Sequence, residues 1–533
     1  MSLLSGKFLL FFLCVFLTYF LMPRKHRWVV LLIGSYVFYM FNSVRMTVYL
    51  LLTTLTTFFA AKKIGALNKE TTEYLAAHKA ELDREAKKQY KAAQVKRKRR
   101  VLLFAVLWNI GTLCVLKYTG FAFDTINRTL HFVADMEAVL PSVSLMLPLG
   151  LSFYTFQTVG YVIDVYRGKY EPDTSLPKYM LFVSFFPQII QGPISRHDQL
   201  AHQLYEGHDF DYTRFTMGLQ LVLWGLIKKL VLADRLILVS NMIFQNYQDY
   251  AGLTMFIGGT AYGVYMYADF SGGIDMIRGI AQIFGIEMIQ NFERPYFATS
   301  LSEFWRRWHI SLGEWMRDYV FYPVSLSKAF GRLGKRMKKW LGPKTGKLIP
   351  MCLATFITFM LVGIWQGPEM KYVGYGFWNA SIMSVSMLLK PVFVKTLNFL
   401  HIDPESVYWK VFGMIRTFFL CSLGRFFSGG LSLRSALIMM KSFFTVWNPH
   451  VLTDGTFLNM GLTVRDWWAV LVMLIILLIV GIIQERGIRV RSSIAAMPLP
   501  VRWFIYIGAI VFLILLGQYG PGFVSADFVY QNI

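Results

Sequence analysis

Apolar runs return along this chain at nearly the length that a bilayer demands. Crossing the hydrocarbon takes about 20 mostly apolar residues, and such stretches fall at 8–22, 28–41, 44–61, 101–116, 253–268, 467–483 and 503–517. The pattern predicts an all-α polytopic membrane protein of about eleven transmembrane helices. Between 141 and 379 the apolar runs are interrupted, as in Pro148-Leu149-Gly150, Pro187-Gln188 and Gln191-Gly192-Pro193. Backbone broken at membrane depth survives only where it is buried in protein or lines a wet cavity. The expected organisation is therefore residues 1–140 as N-terminal spans with a basic loop at 62–100, residues 141–380 as a core of re-entrant or broken helices carrying the site, and residues 381–533 as C-terminal spans. No internal repeat and no soluble domain is expected.

Composition sharpens this reading. Of 533 residues, 55% are hydrophobic and only 16% charged, against about 25% charged in an ordinary soluble protein, which excludes one large water-soluble globule. The charge is 54 − 31 = +23. In a soluble protein that would suggest nucleic acid, but here the cations sit between spans and follow the positive-inside rule, so no nucleic-acid partner is expected. Residues 62–100 carry 13 Lys or Arg against five acids, 328–347 carry eight with no acid, and 486–502 hold four arginines. These loops are expected in the cytoplasm of a plasma-membrane protein with its amino terminus outside. The first run reads as a retained span, because Pro23-Arg24-Lys25-His26-Arg27 follows it instead of a small-residue cleavage site. Residues 71–94, rich in Ala, Glu and Lys, should form a solvated or membrane-surface helix. Cys14, Cys114, Cys352 and Cys421 lie in apolar stretches without metal-ligand or CxxC spacing and read as small hydrophobes.

Ionisable groups within spans are costly and so are functional candidates. Asp269, Ser271 and Asp275 end an apolar run; they could orient a histidine or bind a polar substrate, or Asp269 and Ser271 could cap the following helix. In Glu303-Phe304-Trp305-Arg306-Arg307-Trp308-His309-Ile310-Ser311-Leu312, helical spacing puts Trp305, Trp308, His309 and Leu312 on one face. That suits an amphipathic surface helix, with Arg317 and Asp318 soon after. His309 falls on the aromatic side, where a neutral imidazole is either a general base or a structural residue. Gln366, in Trp365-Gln366-Gly367, can position a substrate but cannot take up a proton. No metal site is expected: His197, His202 and His208 read as members of a solvated loop. Without GxGxxG, P-loop or GxSxG, hydrolase and ATPase readings drop out. Lys228-Lys229 with Asp234-Arg235 read as a membrane surface, Arg416 and Arg425 as snorkelling side chains, and Tyr262, Tyr265 and Tyr267 as interior packing.

The ordered set Leu149-Gly150-Leu151-Ser152-Phe153-Tyr154, Asp164-Val165-Tyr166-Arg167-Gly168, Phe186-Pro187 with Gly192-Pro193-Ile194, Asp269-Phe270-Ser271-Gly272, Asn291-Phe292 with Pro295-Tyr296, and Glu303 to Ser311 resembles the membrane-bound O-acyltransferase family. The likeness is strongest to its bacterial alginate O-acetylation branch and more distant to its teichoic acid D-alanylation branch. It runs from Ser35-Tyr36-Val37-Phe38-Tyr39 to the carboxyl end. The resemblance implies a helix bundle with a central funnel, through which an acyl group passes from a cytoplasmic donor to hydroxyls of an extracytoplasmic polysaccharide or teichoic acid. The donor, acetyl-CoA or an acyl-carrier protein, is a substrate, and no tightly bound cofactor is expected. Implied partners are a secreted or membrane-anchored acyl-transfer protein and membrane lipids.

Two site histidines matter in that family. The one in Trp-His-Ile-Ser is matched by His309; the Trp-His-Gly histidine, usually regarded as catalytic, is replaced by Gln366, and a further histidine about thirteen residues on is replaced by Asn379. The implied site has His309 as base, Gln366 as positioning group, and Asp269 or Asp318 orienting the imidazole. Ser271, Asp275, Glu303, Trp305, Arg306, Trp308, Arg317, Trp365 and Asn379 support or bind substrate. Two readings stand open: an active acyltransferase, acetyl before D-alanyl, or a degenerate relative serving as channel or scaffold.

Overall fold

The computed structural model describes residues 2–136, 138–520 and 528. Their regular secondary structure is helical throughout. The elements that position the site are, in chain order, α1 (Thr47–Ala77), α2 (Arg84–Ala134), α3 (Leu253–Ile283), α4 (Leu301–Arg307), α5 (Ile310–Met316), α6 (Lys328–Gln366), α7 (Met370–Phe399), α8 (Val407–Gly429), α9 (Val464–Glu485) and α10 (Leu499–Leu516). Among the described residues, seven helices are long and apolar enough to cross a membrane: α1, α2, α6, α7, α8, α9 and α10. Two compact units divide the chain. Of the described residues, the first holds those up to Gly218 with Ile280–Ile289, and the second holds Leu219–Gly279 and those from Gln290 to Phe528.

In the first unit, the basic segment is a helical hairpin, which corrects the single helix expected over 71–94. α1 runs to Ala77 and α2 begins at Arg84 because Asp83 caps it, accepting from Ala86 N–H at 2.6 Å. Tyr74 stacks on Tyr90 at 4.2 Å, and Lys98 donates to Asn68 at 2.8 Å, closing the two arms. The solvated loop expected around the three histidines is corrected in part: His202 is exposed and His208 lies in the loop after residue 205, but His197 is packed inside. Residues His197–Tyr205 are helical, and His197 meets Asp173 at 3.2 Å inside a wall of Tyr161, Tyr170 and Phe182 rings. Burial works to raise the Asp173 pKa, but hydrogen bonds from His197 and Tyr205 hold it below the usual carboxylate range.

In the second unit, the basic segment 328–347 is itself helical, the first part of α6, started by the Ser327 cap and kinked at Gly342, whose φ is 80°. The later part of α6 presses against α7 at a glycine pair. A Cβ on Gly363 would lie 2.4 Å from the Tyr372 carbonyl and 2.9 Å from Gly376 Cα, so this crossing, which sets the end of α6 against α7, requires glycine.

The surface reading of Lys228-Lys229 is overturned. A π-helical turn over Lys228–Ala233 carries both lysines inward. Lys229 Nζ donates to Asp269 at 2.6 Å and pairs with Asp234 at 2.9 Å, all three side chains being 0–1% exposed. Lys228 Nζ donates to Ser271 at 2.9 Å and Asp275 at 2.7 Å. Asp269 and Ser271 therefore lie within α3 as partners of buried lysines and do not cap a following helix. Desolvation makes isolated buried charges untenable, so each ammonium is matched to carboxylate or hydroxyl oxygen. Arg425 does not snorkel: it is 3% exposed, with its guanidinium 4.9 Å from the Trp308 ring.

Candidate functional site

The site is built around a break in the helix expected over Glu303 to Leu312. α4 ends at Arg307, Trp308 is extended (φ −108°, ψ 126°), and His309 is left-handed (φ 47°, ψ 54°) before α5 begins. A left-handed non-glycine residue costs about 1–2 kcal/mol, and the surrounding backbone compels it. Residues 291–293 run antiparallel to this stretch: Glu293 N–H donates to Arg307 O at 2.9 Å and Ile310 N–H to Asn291 O at 3.0 Å, bridging Phe292 to Trp308. Asn291 Oδ1 also accepts from Ser311 N–H at 3.0 Å and Ser311 Oγ at 2.9 Å. The expected surface helix is thus corrected to two short helices joined by a turn that drives the imidazole inward.

His309 is 1% exposed. Its ring lies edge-on to Phe270 at 4.9 Å and 5.9 Å from the Trp365 ring. The side-chain amide of Asn291 meets Nδ1 at 3.3–3.4 Å. His309 lies outside the seven candidate spans, and burial pushes its pKa down to about 3, so the ring is neutral across the physiological range.

The surrounding aromatic residues converge on this turn. Trp308 stacks on Phe304 at 5.4 Å and lies beneath Arg425, a cation–π contact inside the protein. Trp305 Nε1 donates to Asn379 Oδ1 at 3.1 Å, which ties the turn to α7. Trp365 and Gln366 are the buried last residues of α6, so Gln366 adjoins the indole that faces His309. His309, Trp305, Trp308, Trp365, Gln366 and Asn379 therefore gather around one turn. Asp269, Ser271 and Asp275 belong to the lysine cluster on α3. Glu303 braces the turn from outside: its carboxylate takes the N–H and hydroxyl of Thr299, each at 2.9 Å, and Arg307 at 2.8 Å. Burial acts to raise its pKa, but those donors hold it below the ordinary carboxylate range. Arg306 and Arg317 are exposed, the latter donating to Asp318 at 3.1 Å.

Two residues in this site carry no site role in the sequence pattern: Asn291, which holds Nδ1, and Arg425, which covers Trp308 and reads there as a snorkelling side chain. Asn291 had a signal in the Asn-Phe motif. Arg425 had none beyond its lying in an apolar run. What the arrangement offers chemically is a neutral imidazole on a strained turn, in contact with the Phe270 ring, the Trp365 indole and the Asn291 amide.

Comparison with known proteins gives the site its context. Residues 172–337 match the model of the membrane-bound O-acyltransferase family. A probable alginate O-acetylase of Pseudomonas syringae pv. tomato is 31% identical over 72% of this chain and 65% of its own length. A second, from Pseudomonas putida, is 31% identical over 72% of this chain and 70% of its own. A teichoic acid D-alanyltransferase of Bacillus subtilis is 28% identical over 49% of this chain and 64% of that protein. The matched region thus spans about two thirds of these relatives, 64–70% of their lengths. With the family model falling on the segment that holds His309, and the Pseudomonas putida relative 31% identical over 70% of its own length, this chain belongs to the membrane-bound O-acyltransferase family.

Proposed function

We propose that this chain is an integral membrane O-acyltransferase of the plasma membrane. It moves an acyl group, acetyl as the first choice, from a cytoplasmic thioester donor to hydroxyls of an extracytoplasmic polysaccharide. The observation that carries the reading is the buried, neutral His309, held at Nδ1 by Asn291 on a left-handed turn. In the base form, Nδ1–H donates to Asn291 Oδ1, and Nε2, on the opposite side of the ring, accepts the acceptor hydroxyl's proton as its oxygen attacks the thioester carbonyl. The tetrahedral intermediate then collapses, the carbon–sulfur bond breaks, and the proton passes to the leaving thiolate. Gln366 orients the donor carbonyl or the acceptor hydroxyl. The basic segments support an amino terminus outside and a donor side in the cytoplasm. The acetyl choice follows the alginate O-acetylase relatives, and D-alanyl transfer to teichoic acid is the alternative.

Two results test this reading. Gln366→His should leave transfer unchanged or faster, because the position already holds a side chain of similar size and gains an imidazole; complete loss of transfer would show that glutamine itself is required. The second is a pH profile. His309 titrates near 3, so the fraction of active base is constant above about pH 5, and the transfer rate of the purified protein should show no break near 6.5. A fall in rate through pH 6.5 that disappears in His309→Gln would contradict the buried neutral ring.

One observation favours a second reading. Gln366 stands where the family carries its Trp-His-Gly histidine, which fits a channel or scaffold in an acylation complex. On that reading the transfer would survive loss of His309.

A further inference from the structure

The turn that holds His309 is braced from a distant part of the chain. α9 ends at Glu485, and its carboxylate Oε1 accepts from Arg294 Nε at 2.6 Å and from Arg307 Nη1 at 2.5 Å. These two arginines sit on the two antiparallel stretches whose pairing forces the left-handed turn: Arg294 follows residues 291–293, and Arg307 is the residue whose carbonyl accepts from Glu293 N–H. Arg294 is itself left-handed, with φ 47°, as His309 is. Arg307 also reaches back to Glu303 at 2.8 Å, so one guanidinium joins the end of α9 to α4. One helical turn before Glu485, Gly481 lets α9 approach the same loop; a Cβ there would lie 2.6 Å from Phe297 Cε2. Two independent contacts, one ionic and one steric, dock the last turn of α9 on the segment that shapes the site.

We propose that Glu485 is a positioning residue for His309: its carboxylate clamps Arg294 to Arg307 and so maintains the 291–293/307–310 pairing and the angle of the imidazole. The inference takes its catalytic consequence from the function proposed above. One carboxylate oxygen shared by two guanidiniums through charge-assisted hydrogen bonds fixes their separation more firmly than either arginine's packing does alone. Loosening it should lower the rate of the chemical step, which depends on near-ångström placement, and leave donor binding largely unchanged.

The experiment uses the purified chain in lipid nanodiscs, as wild type, Glu485→Ala and Glu485→Gln. Two readouts are taken: kcat and KM for acyl transfer, and the ring ¹⁵N signals of His309 in protein labelled at histidine. Glu485→Ala should lower kcat by about ten- to a hundredfold with KM within about threefold, and should shift or broaden the His309 signals. Glu485→Gln, which keeps an acceptor oxygen of the same reach, should lie between. Unmoved His309 signals in a folded Glu485→Ala protein overturn the inference, whatever its activity. Shifted signals in a protein whose transfer does not depend on His309 would keep the clamp and remove the acyl-transfer reading, so the two can fail separately.

Discussion

Replacing His309 with alanine is expected to lower polymer acylation by about a hundred to ten thousand fold, the usual yield of general-base assistance, with normal abundance in the membrane. The expectation rests on the turn. A residue held at φ 47° by two backbone hydrogen bonds and two bonds to the Asn291 side chain is costly to maintain, and a merely structural imidazole would not need it. Alanine keeps the Asn291–Ser311 and Phe292–Trp308 links, which involve no imidazole atoms, so the fold should survive. The measurement is the ester content of surface polymer from a deletion strain complemented with each form, with membrane abundance followed by immunoblot. Asn291→Ala should show a smaller loss, because the ring stays but its Nδ1 contact and the Ser311 anchor go. If both variants acylate like wild type, the base is elsewhere.

The second large effect concerns stability. Lys229→Met should destabilise the protein by about 3–5 kcal/mol, the cost of breaking a buried ion pair by removing one partner. Lys229 lies between Asp269 at 2.6 Å and Asp234 at 2.9 Å, all essentially unexposed, so its loss leaves two carboxylates facing one apolar side chain. The triple change Lys229→Met, Asp269→Asn, Asp234→Asn should recover most of the stability, since it removes the charges together. Thermal unfolding followed by size-exclusion chromatography of the detergent-solubilised protein would read both. If the single and triple variants fall equally, the lysine acts through packing and the charge argument is wrong.

Much of this architecture was legible in the chain because the bilayer imposes a length and a polarity that any span must show. α9 is an unbroken apolar run, and the basic segments announce themselves by composition. What could not be read were contacts made at a distance. Periodicity carries a helix straight through Trp308 and His309, because spacing alone does not contain the extended stretch at 291–293 that pulls them out of it, with Asn291 and His309 separated by 18 positions. The paired lysines look like a surface until Asp269, 40 positions on, is placed against Lys229. Arg425 looked like a headgroup contact because nothing local says that Trp308 lies beneath it. Trp305, Trp308, Trp365, Gln366 and Asn379 stand out in their motifs; Trp365 faces the imidazole, Gln366 follows Trp365 in sequence, Trp308 precedes His309, and Trp305 reaches Asn379.

The most direct test of the central claim is transfer of isotopically labelled acetyl from a thioester donor to an alginate oligosaccharide, using the purified chain in nanodiscs, as wild type and as His309→Ala. Labelled O-acetyl ester formed by the wild type and absent from the variant is the result that a base at position 309 predicts. Equal label on the acceptor from both proteins would contradict it.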